Sequence, residues 1–437
     1  MTLPPGPRTP KLVQTAQLLR DPVPFMEKAR RRYGETFTAR VARIGHIVFI
    51  TDPPSIKALY SADRDNIVAP GRNAILEPLL GPQSLLLVND SEHLSRRKLM
   101  LPAFHGERMR GYEQVMEGAA EREAGRWPVG ESFPLHPSMQ AITLDVIMRA
   151  VFGVTEERRD DLRERLLLIL GATQSPLALA LTVDWAQRLG IFRRVREAIA
   201  ESDEILAAEI QERRADPDLA DREDILSMLV AARDENGEGM SDGELRDQLM
   251  TLLMAGHETT ATGLAWTFDL LFRTPAAMER LLAEIESDDH EYLDAVVEES
   301  LRLRPVVMFA GRQLRKPMEL GGYELEEGTV VGASMYLAHT REDVFPTPYA
   351  FRPERFLDES PDTYSWVPFG GGTRRCIGAA FAQFEMRVVL RTILRMVELR
   401  PATDEPEEMM RRNVTLSPRR GTPAVVERRR ERVPVAA

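Results

Sequence analysis

One cysteine stands in this chain of 437 residues, Cys376, inside FGGGTRRCIG at 369–378. A lone thiol has three uses. As a small buried hydrophobe it is inert. As a nucleophile it needs a base; the nearest histidine in sequence is His339, and no protease-like signature surrounds Cys376. As an anionic ligand it needs hydrogen-bond donors for the sulfur, room for a flat group, and positive charge nearby. The flanks supply all three. Glycines at 370, 371, 372 and 378 free the backbone, Arg374 and Arg375 bring charge, and a helix expected from Ile377 onward turns its first amides towards the sulfur.

Other clusters could also do chemistry. AGHETTATG at 255–263 sets the carboxylate of Glu258 beside the hydroxyl of Thr259, in a stretch whose glycines and threonines are poor choices for a helix interior. Read alone, its hydroxyls bond back to helix carbonyls. Glu299 and Arg302 stand three apart in EESLRLRP, and His93 and Arg97 four apart in HLSRRKLMLPAF. In isolation each pair is a helix face contributing a few tenths of a kcal/mol.

The elements that must position these residues are mostly helical. Ser241 and Glu244 form a capping box, and apolar spacing then predicts one helix as far as Phe272, carrying AGHETTATG in its middle. A second helix is expected from near Asp288, with Glu291 as capping partner, ending before Pro305. The β signals are segregated: HIVFIT at 46–51, MELGGYELEEGTVV at 318–331 and NVTLSPRRGTPAVV at 413–426, read as hairpins beside a helical body. No Gly/Ser linker, repeat or low-complexity tract divides the chain. The expectation is one domain over 1–437, with a Pro-rich segment at 1–10 and a loose tail at 427–437.

With these residues in view, the sequence resembles the cytochrome P-450 haem-thiolate monooxygenases. Their cysteine-loop pattern F-x-x-G-x-R-x-C-x-G is met by Phe369, Gly372, Arg374, Cys376 and Gly378, and a further family alanine by Ala382. The resemblance implies a mainly α fold with a smaller β region, a single large helical domain with peripheral antiparallel sheets. It makes Cys376 the iron ligand of haem b, with Phe369 beside the sulfur. Arg374, Arg312 in FAGRQL, His93 and Arg97 become partners of the haem propionates; Arg96 could exchange with Arg97. Glu299 and Arg302 match the family's E-x-x-R pair, and FRPERF at 351–356 offers Arg355 as the third member of a buried structural network.

Ala255, Gly256, Glu258 and Thr259 match the distal pattern A-G-x-[DE]-T. This implies room for O2 over Ala255 and Gly256, a widened helical turn admitting water, Thr259 as the hydroxyl at the reacting oxygen, and Glu258 as proton relay. His257 falls at a variable family position. The implied reaction is hydroxylation or epoxidation of an apolar or lipid-like substrate. Electrons come from NAD(P)H through a separate ferredoxin and ferredoxin reductase, with Lys98, Arg375, Arg387 and Arg391 as candidates for a basic docking face. A haem-thiolate isomerase or dehydratase, a peroxide-driven peroxygenase, and a non-catalytic haem sensor using His257 stand as alternatives. Leu79, Leu80, Leu86, Leu87, Met254, Val307, Met308 and Phe309 are candidates for the substrate pocket, and SPLALALTVDW at 175–185 is a candidate lid.

Composition sets outer bounds. The chain is 43% hydrophobic and 29% charged, as in ordinary globular proteins, and its formal charge of −11 argues against general nucleic-acid binding. One cysteine permits no internal disulfide, which fits a cytoplasmic protein. Neither a signal segment nor a membrane-spanning run is present, and a monomer is expected.

Overall fold

The structure, a computed structural model, describes residues 3–430 apart from 43, 63–65, 70–75, 105, 107, 153–155, 175–192, 288, 359–360 and 413. The candidate lid at 175–185 lies outside the described residues. The chain divides into two compact units, Met1–Pro70 with Ala120–Gln140 and Thr259–Ala437, and Gly71–Ala119 with Ala141–Glu258. Each unit is assembled from separated stretches of sequence, which is why no linker composition marks a division.

All twelve strands among the described residues belong to the first unit. One sheet holds β1 (Phe37–Val41), β2 (Gly45–Ile50), β3 (Ile67–Val68), β5 (Phe309–Leu314) and β8 (Val330–Ser334), in the order β1-β2-β8-β5-β3. The expected antiparallel pairing holds for β1 with β2, β3 with β5 and β5 with β8, but β2 and β8 run parallel, Ile47 opposite Val330. The HIVFIT signal becomes β2, whose apolar residues are buried on both faces. Val48 and Ile50 join one core with Ile56, Tyr60, Val331 and Val367, while Ile47 and Phe49 join another with Phe37, Met308 and Leu416. An uninterrupted apolar run is what a strand covered on both sides requires.

The MELGGYEL signal forms the hairpin of β6 (Met318–Leu320) and β7 (Tyr323–Leu325). The stretch at 413–426 does not pair with itself. Its β11 (Thr415–Pro418) pairs with β10 (Met409–Arg412), and β12 (Pro423–Arg429) pairs with both β4 (Ser132–Pro134) and β9 (Val397–Pro401). The tail expected to be loose from 427 is therefore ordered at its start, with Arg428 opposite Glu398 and Arg429 opposite Val397.

The long helix runs Asp242–Phe272, and the division between the units falls within it, between Glu258 and Thr259. The capping box closes as expected: Ser241 N–H donates to Glu244 Oε2 at 2.7 Å, and Glu244 N–H to Ser241 Oγ at 3.3 Å. The helix Glu291–Leu303 begins later than the sequence suggested. Its first amides, of Tyr292 and Leu293, are taken by the carboxylate of Glu284 from the preceding helix, at 2.5 and 2.7 Å. The second unit holds helices and no strand among its described residues, with an apolar cluster of Leu79, Leu80, Ile169 and Ala198. No helix among the described residues is long and apolar enough to cross a membrane.

Candidate active site

In the first unit, Cys376 is exposed on the loop that precedes the helix Ala379–Met396. Its exposure removes the reading as a buried hydrophobe. The helix starts two residues later than expected, with Gly378 at its N-cap. The loop is folded on itself: Cys376 N–H donates to the Phe369 carbonyl at 2.9 Å, Gly370 N–H to Val367 at 3.0 Å and Arg375 N–H to Gly372 at 3.1 Å. Arg374 is half-buried in the short turn Gly372–Arg374. Phe369 sets its ring edge-on against Trp366, centroids 6.2 Å apart.

Two of the glycines have a reason other than room for a flat ligand. A Cβ on Gly371 would lie 2.5 Å from the ring of Tyr60, and one on Gly372, whose φ is +67°, 2.0 Å from the Tyr60 carbonyl oxygen. The loop thus rests directly on the end of the helix Pro53–Ser61. Around Gly378, by contrast, nothing lies within 4 Å of where a Cβ would stand.

Beside the loop is a buried cation. Arg312, on β5 and 7% exposed, donates from Nη2 to the Gly371 carbonyl at 3.4 Å and from Nη1 to Gly311 at 2.8 Å. Its guanidinium lies 5.2 Å from the Tyr60 ring centroid. Burial lowers its pKa, and among the described residues no carboxylate compensates it. A dry guanidinium on carbonyls and an aromatic face is suited to an anionic ligand group. No cluster of three or more His, Cys, Asp or Glu side chains able to hold a metal occurs among the described residues. The donor set here, one exposed thiol with a buried arginine, therefore suits a metal that brings its own ligands and an acidic edge, as haem does.

The expected network forms and extends further than the sequence suggested. Arg302 donates from Nε to Glu299 Oε2 at 2.6 Å and from Nη2 to Oε1 at 2.8 Å, both residues fully buried, and Arg355 Nε reaches Glu299 Oε1 at 3.1 Å. Arg302 also donates to the carbonyls of His339 and Pro348, each at 2.8 Å. His339 carries the connection onward. Its Nδ1 meets the Arg302 carbonyl at 3.2 Å, and its Nε2 accepts the Val367 N–H at 2.8 Å, two residues before Phe369. This arrangement demands a neutral ring protonated at Nδ1. Burial and the Arg302 charge agree, holding its pKa down at about 3. His339 is thus a strut for the cysteine loop.

The long helix is unbroken α through 255–263, so the widened turn is not present. Its glycines serve packing: Gly256 faces Ile147 and Gly263 faces Met386, with a Cβ landing 3.0 and 3.1 Å from them. Thr267 bonds back to the Gly263 carbonyl at 2.9 Å, but Thr262 turns sideways to His136 Nε2 at 3.1 Å. Thr260 hydrogen-bonds Glu385, a fully buried carboxyl whose pKa is raised well above the usual range by desolvation. Glu385 was not singled out from sequence, because a lone glutamate nine residues after Cys376 reads as helix surface. Along the helix, Ala255 is exposed and Met254, Gly256 and Thr259 half-buried, whereas His257 and Glu258 are 2% and 6% exposed. His257 meets Thr143 Oγ1 through Nδ1 at 3.1 Å, and burial first, then the charge of Arg163, lowers its pKa to about 4.

In the second unit, His93 is buried and Arg97 half-buried, four residues apart on the helix Asp90–Met100. Arg96 is bound in an ion pair to Glu244. Leu79 belongs to the core at 2% exposed, with Met254 packed against it, while Leu86 is 49% exposed. In the first unit, Met308 enters the core at 6% exposed, and Phe309 packs edge-on against Phe49 at 5.1 Å. Val307 packs against the core of Val48 and Val331. Leu79 and Met308 thus contribute to the apolar cores. The basic docking set also thins: Arg391 is 7% exposed beside His290, Arg387 is paired with Asp294 at 2.9 Å and Lys98 with Glu235 at 2.6 Å. Arg375 is exposed.

Comparison with known proteins covers almost the whole chain. The sequence model of the family described as Cytochrome P450 matches residues 4–424. The chain is 42% identical over 428 residues to the Mycobacterium tuberculosis protein named "Putative cytochrome P450 135B1", covering 96% of this chain and 90% of that one. A solved structure of retinoic acid-bound cyanobacterial CYP120A1 superposes with a TM-score of 0.83 at 26% identity, covering 98% and 99% of the two chains. The haem domain of cytochrome P450DA matches in fold, with a TM-score of 0.83 at 24% identity.

Proposed function

Because this chain belongs to the cytochrome P450 family, whose members are in general haem-thiolate monooxygenases, we propose that it inserts one atom of O2 into an apolar or amphipathic, lipid-like substrate. Haem b, when bound, supplies the oxygen activation itself. The observation that carries the reading is the exposed thiol of Cys376, on a loop wedged against Tyr60 and flanked by the buried Arg312. Cys376 is the metal ligand, and Arg312, Arg374, His93 and Arg97 hold the acidic edge of the cofactor. Phe369 and Gly378 shape the loop, and Ala255 leaves room beside the cofactor. Glu299, Arg302 and Arg355 keep that loop in register through His339.

Thr259 orients a proton donor at the reacting oxygen through Oγ1, and the carboxyl of Glu258 resupplies that proton from solvent. Leu86, Met254, Val307 and Phe309 offer apolar contact to substrate; a relative in fold bound to retinoic acid supports an amphipathic acid as a first compound to try. Reducing equivalents come from NAD(P)H through a separate ferredoxin and its reductase, in a cytoplasmic monomer. Presence of both Glu258 and Thr259 favours this reading over isomerase, dehydratase or peroxygenase chemistry. The sensor reading lacks support, since His257, its one candidate ligand, is buried against Thr143.

The test is the absorption spectrum of the reduced, CO-treated protein. A Soret band at the long wavelength of a thiolate ligand is expected, and its loss in Cys376→Ala; a band surviving that substitution refutes the assignment.

A further inference from the structure

The N-terminal segment and the first two helices of the first unit form a groove of about 780 Å³. Its wall at residues 5–9 is fixed in place. Gln14, fully buried in the helix Lys11–Arg20, donates from Nε2 to the carbonyls of Pro7 and Thr9 at 2.8 and 2.7 Å, and its Oε1 accepts the Arg40 N–H at 2.8 Å. Thr38 N–H donates to the Pro5 carbonyl at 3.0 Å, and at Gly6 a Cβ would overlap the Thr38 carbonyl. A buried glutamine spending its amide on a Pro-rich segment makes that segment a preformed wall.

The facing wall is the helix Pro22–Tyr33. Phe25, Ala29 and Tyr33 recur every four residues and give the groove an apolar floor, with Lys28 and Arg32, also four apart, along its rim. Arg8 completes the rim from the opposite side. All three cations are exposed, and among the described residues none is paired with a carboxylate; Arg32 lies over the Tyr33 ring at 5.7 Å. The one acid in the groove, Asp21, is matched by Arg419 at 3.3 Å and Arg20 at 3.5 Å.

Three unmatched cations around an apolar floor stand out on a chain of formal charge −11. We propose that this groove binds an anionic amphiphile, its phosphate or carboxylate head on Arg8, Lys28 and Arg32 and its apolar body along Phe25 and Tyr33. The volume supports a head with a body attached, because small-molecule sites run from roughly 300 to 1,000 Å³, far more than a bare anion fills. The inference does not depend on the reading of Cys376.

The experiment titrates the haem-loaded full chain with monomeric dihexanoyl phosphatidic acid by calorimetry, while absorbance follows the haem. Inorganic phosphate, uncharged dihexanoyl glycerol, and phosphatidylcholine vesicles with phosphatidylglycerol are the comparison arms. Binding of phosphatidic acid without a change in absorbance is expected, with phosphate and the glycerol both weaker. The triple variant R8Q/K28Q/R32Q, with an unaltered spectrum and melting point, should bind about tenfold more weakly or worse. Equal binding by wild type and variant overturns the proposal, as does tightest binding by phosphate alone. Vesicle binding without binding of the monomeric amphiphile also overturns it, since the surface would then dock a membrane.

Discussion

Arg312 is kept dry without a carboxylate among the described residues to balance it, so the protein bears a desolvation cost that an anionic ligand group would offset. Arg312→Gln should leave the circular dichroism of the protein unchanged while haem is lost faster to an acceptor such as apomyoglobin; unchanged transfer kinetics would show that no ligand group rests there. Thr259 makes a prediction of a different kind. The residue is half-buried where the neighbouring His257 and Glu258 are buried, and Thr259→Ala should keep haem and fold but divert reductant into hydrogen peroxide. The check is the ratio of product to NAD(P)H consumed, which should fall severalfold; an unchanged ratio removes Thr259 from proton handling.

At the scale of elements, the cysteine loop and the helix Pro53–Ser61 behave as one piece, because backbone at Gly372 meets backbone at Tyr60. Gly372→Ala forces a methyl against that carbonyl at a φ of +67° and should cost about 1–3 kcal/mol locally. The expected result is a lower melting temperature and partial conversion of the CO band to a shorter wavelength; a wild-type band and melt would mean the contact is loose. This contact also shows where sequence reading stops. The capping box at Ser241 and Glu244 and the apolar run of β2 were legible because their causes are local. The start of Glu291–Leu303 was not, since its amides are satisfied by Glu284 on another helix. The glycines of 370–372 drew attention for the right loop and partly the wrong reason, because Tyr60 lies far away in sequence. His339 was weighed only as a base, its true partners being an arginine carbonyl and a loop amide. The contacts among Glu299, Arg302 and Arg355 were legible because their pattern resembles that of one family.

At the scale of the whole molecule, two buried neutral imidazoles, one in each unit, contribute to the pH dependence of stability on the acid side. Unfolded histidines protonate near pH 6.5, whereas native His257 and His339 resist until about 4 and about 3. These two rings therefore make the unfolded state bind more protons in that window, and the stability they contribute should be lost as pH drops from about 6.5 towards 3, against the opposite contribution of Glu298 and Glu385, whose carboxyl pKa values burial raises. Urea midpoints measured across the range should show the wild type losing more stability as pH falls than His339→Gln, which cannot titrate; an equal loss in both would mean the ring is already charged. The parallel pairing of Ile47 with Val330 has a further consequence, for how the protein is made. On the ribosome, β2 emerges long before β8 exists, so the nascent N-terminal third carries an apolar strand with an open edge. The sheet that carries Arg312 beside the cysteine loop closes between β2 and β8 only when the last quarter of the chain arrives. A cofactor held by Cys376 would be captured only after that point, and cells producing this protein at high level should accumulate apoprotein whenever synthesis outruns completion of that sheet.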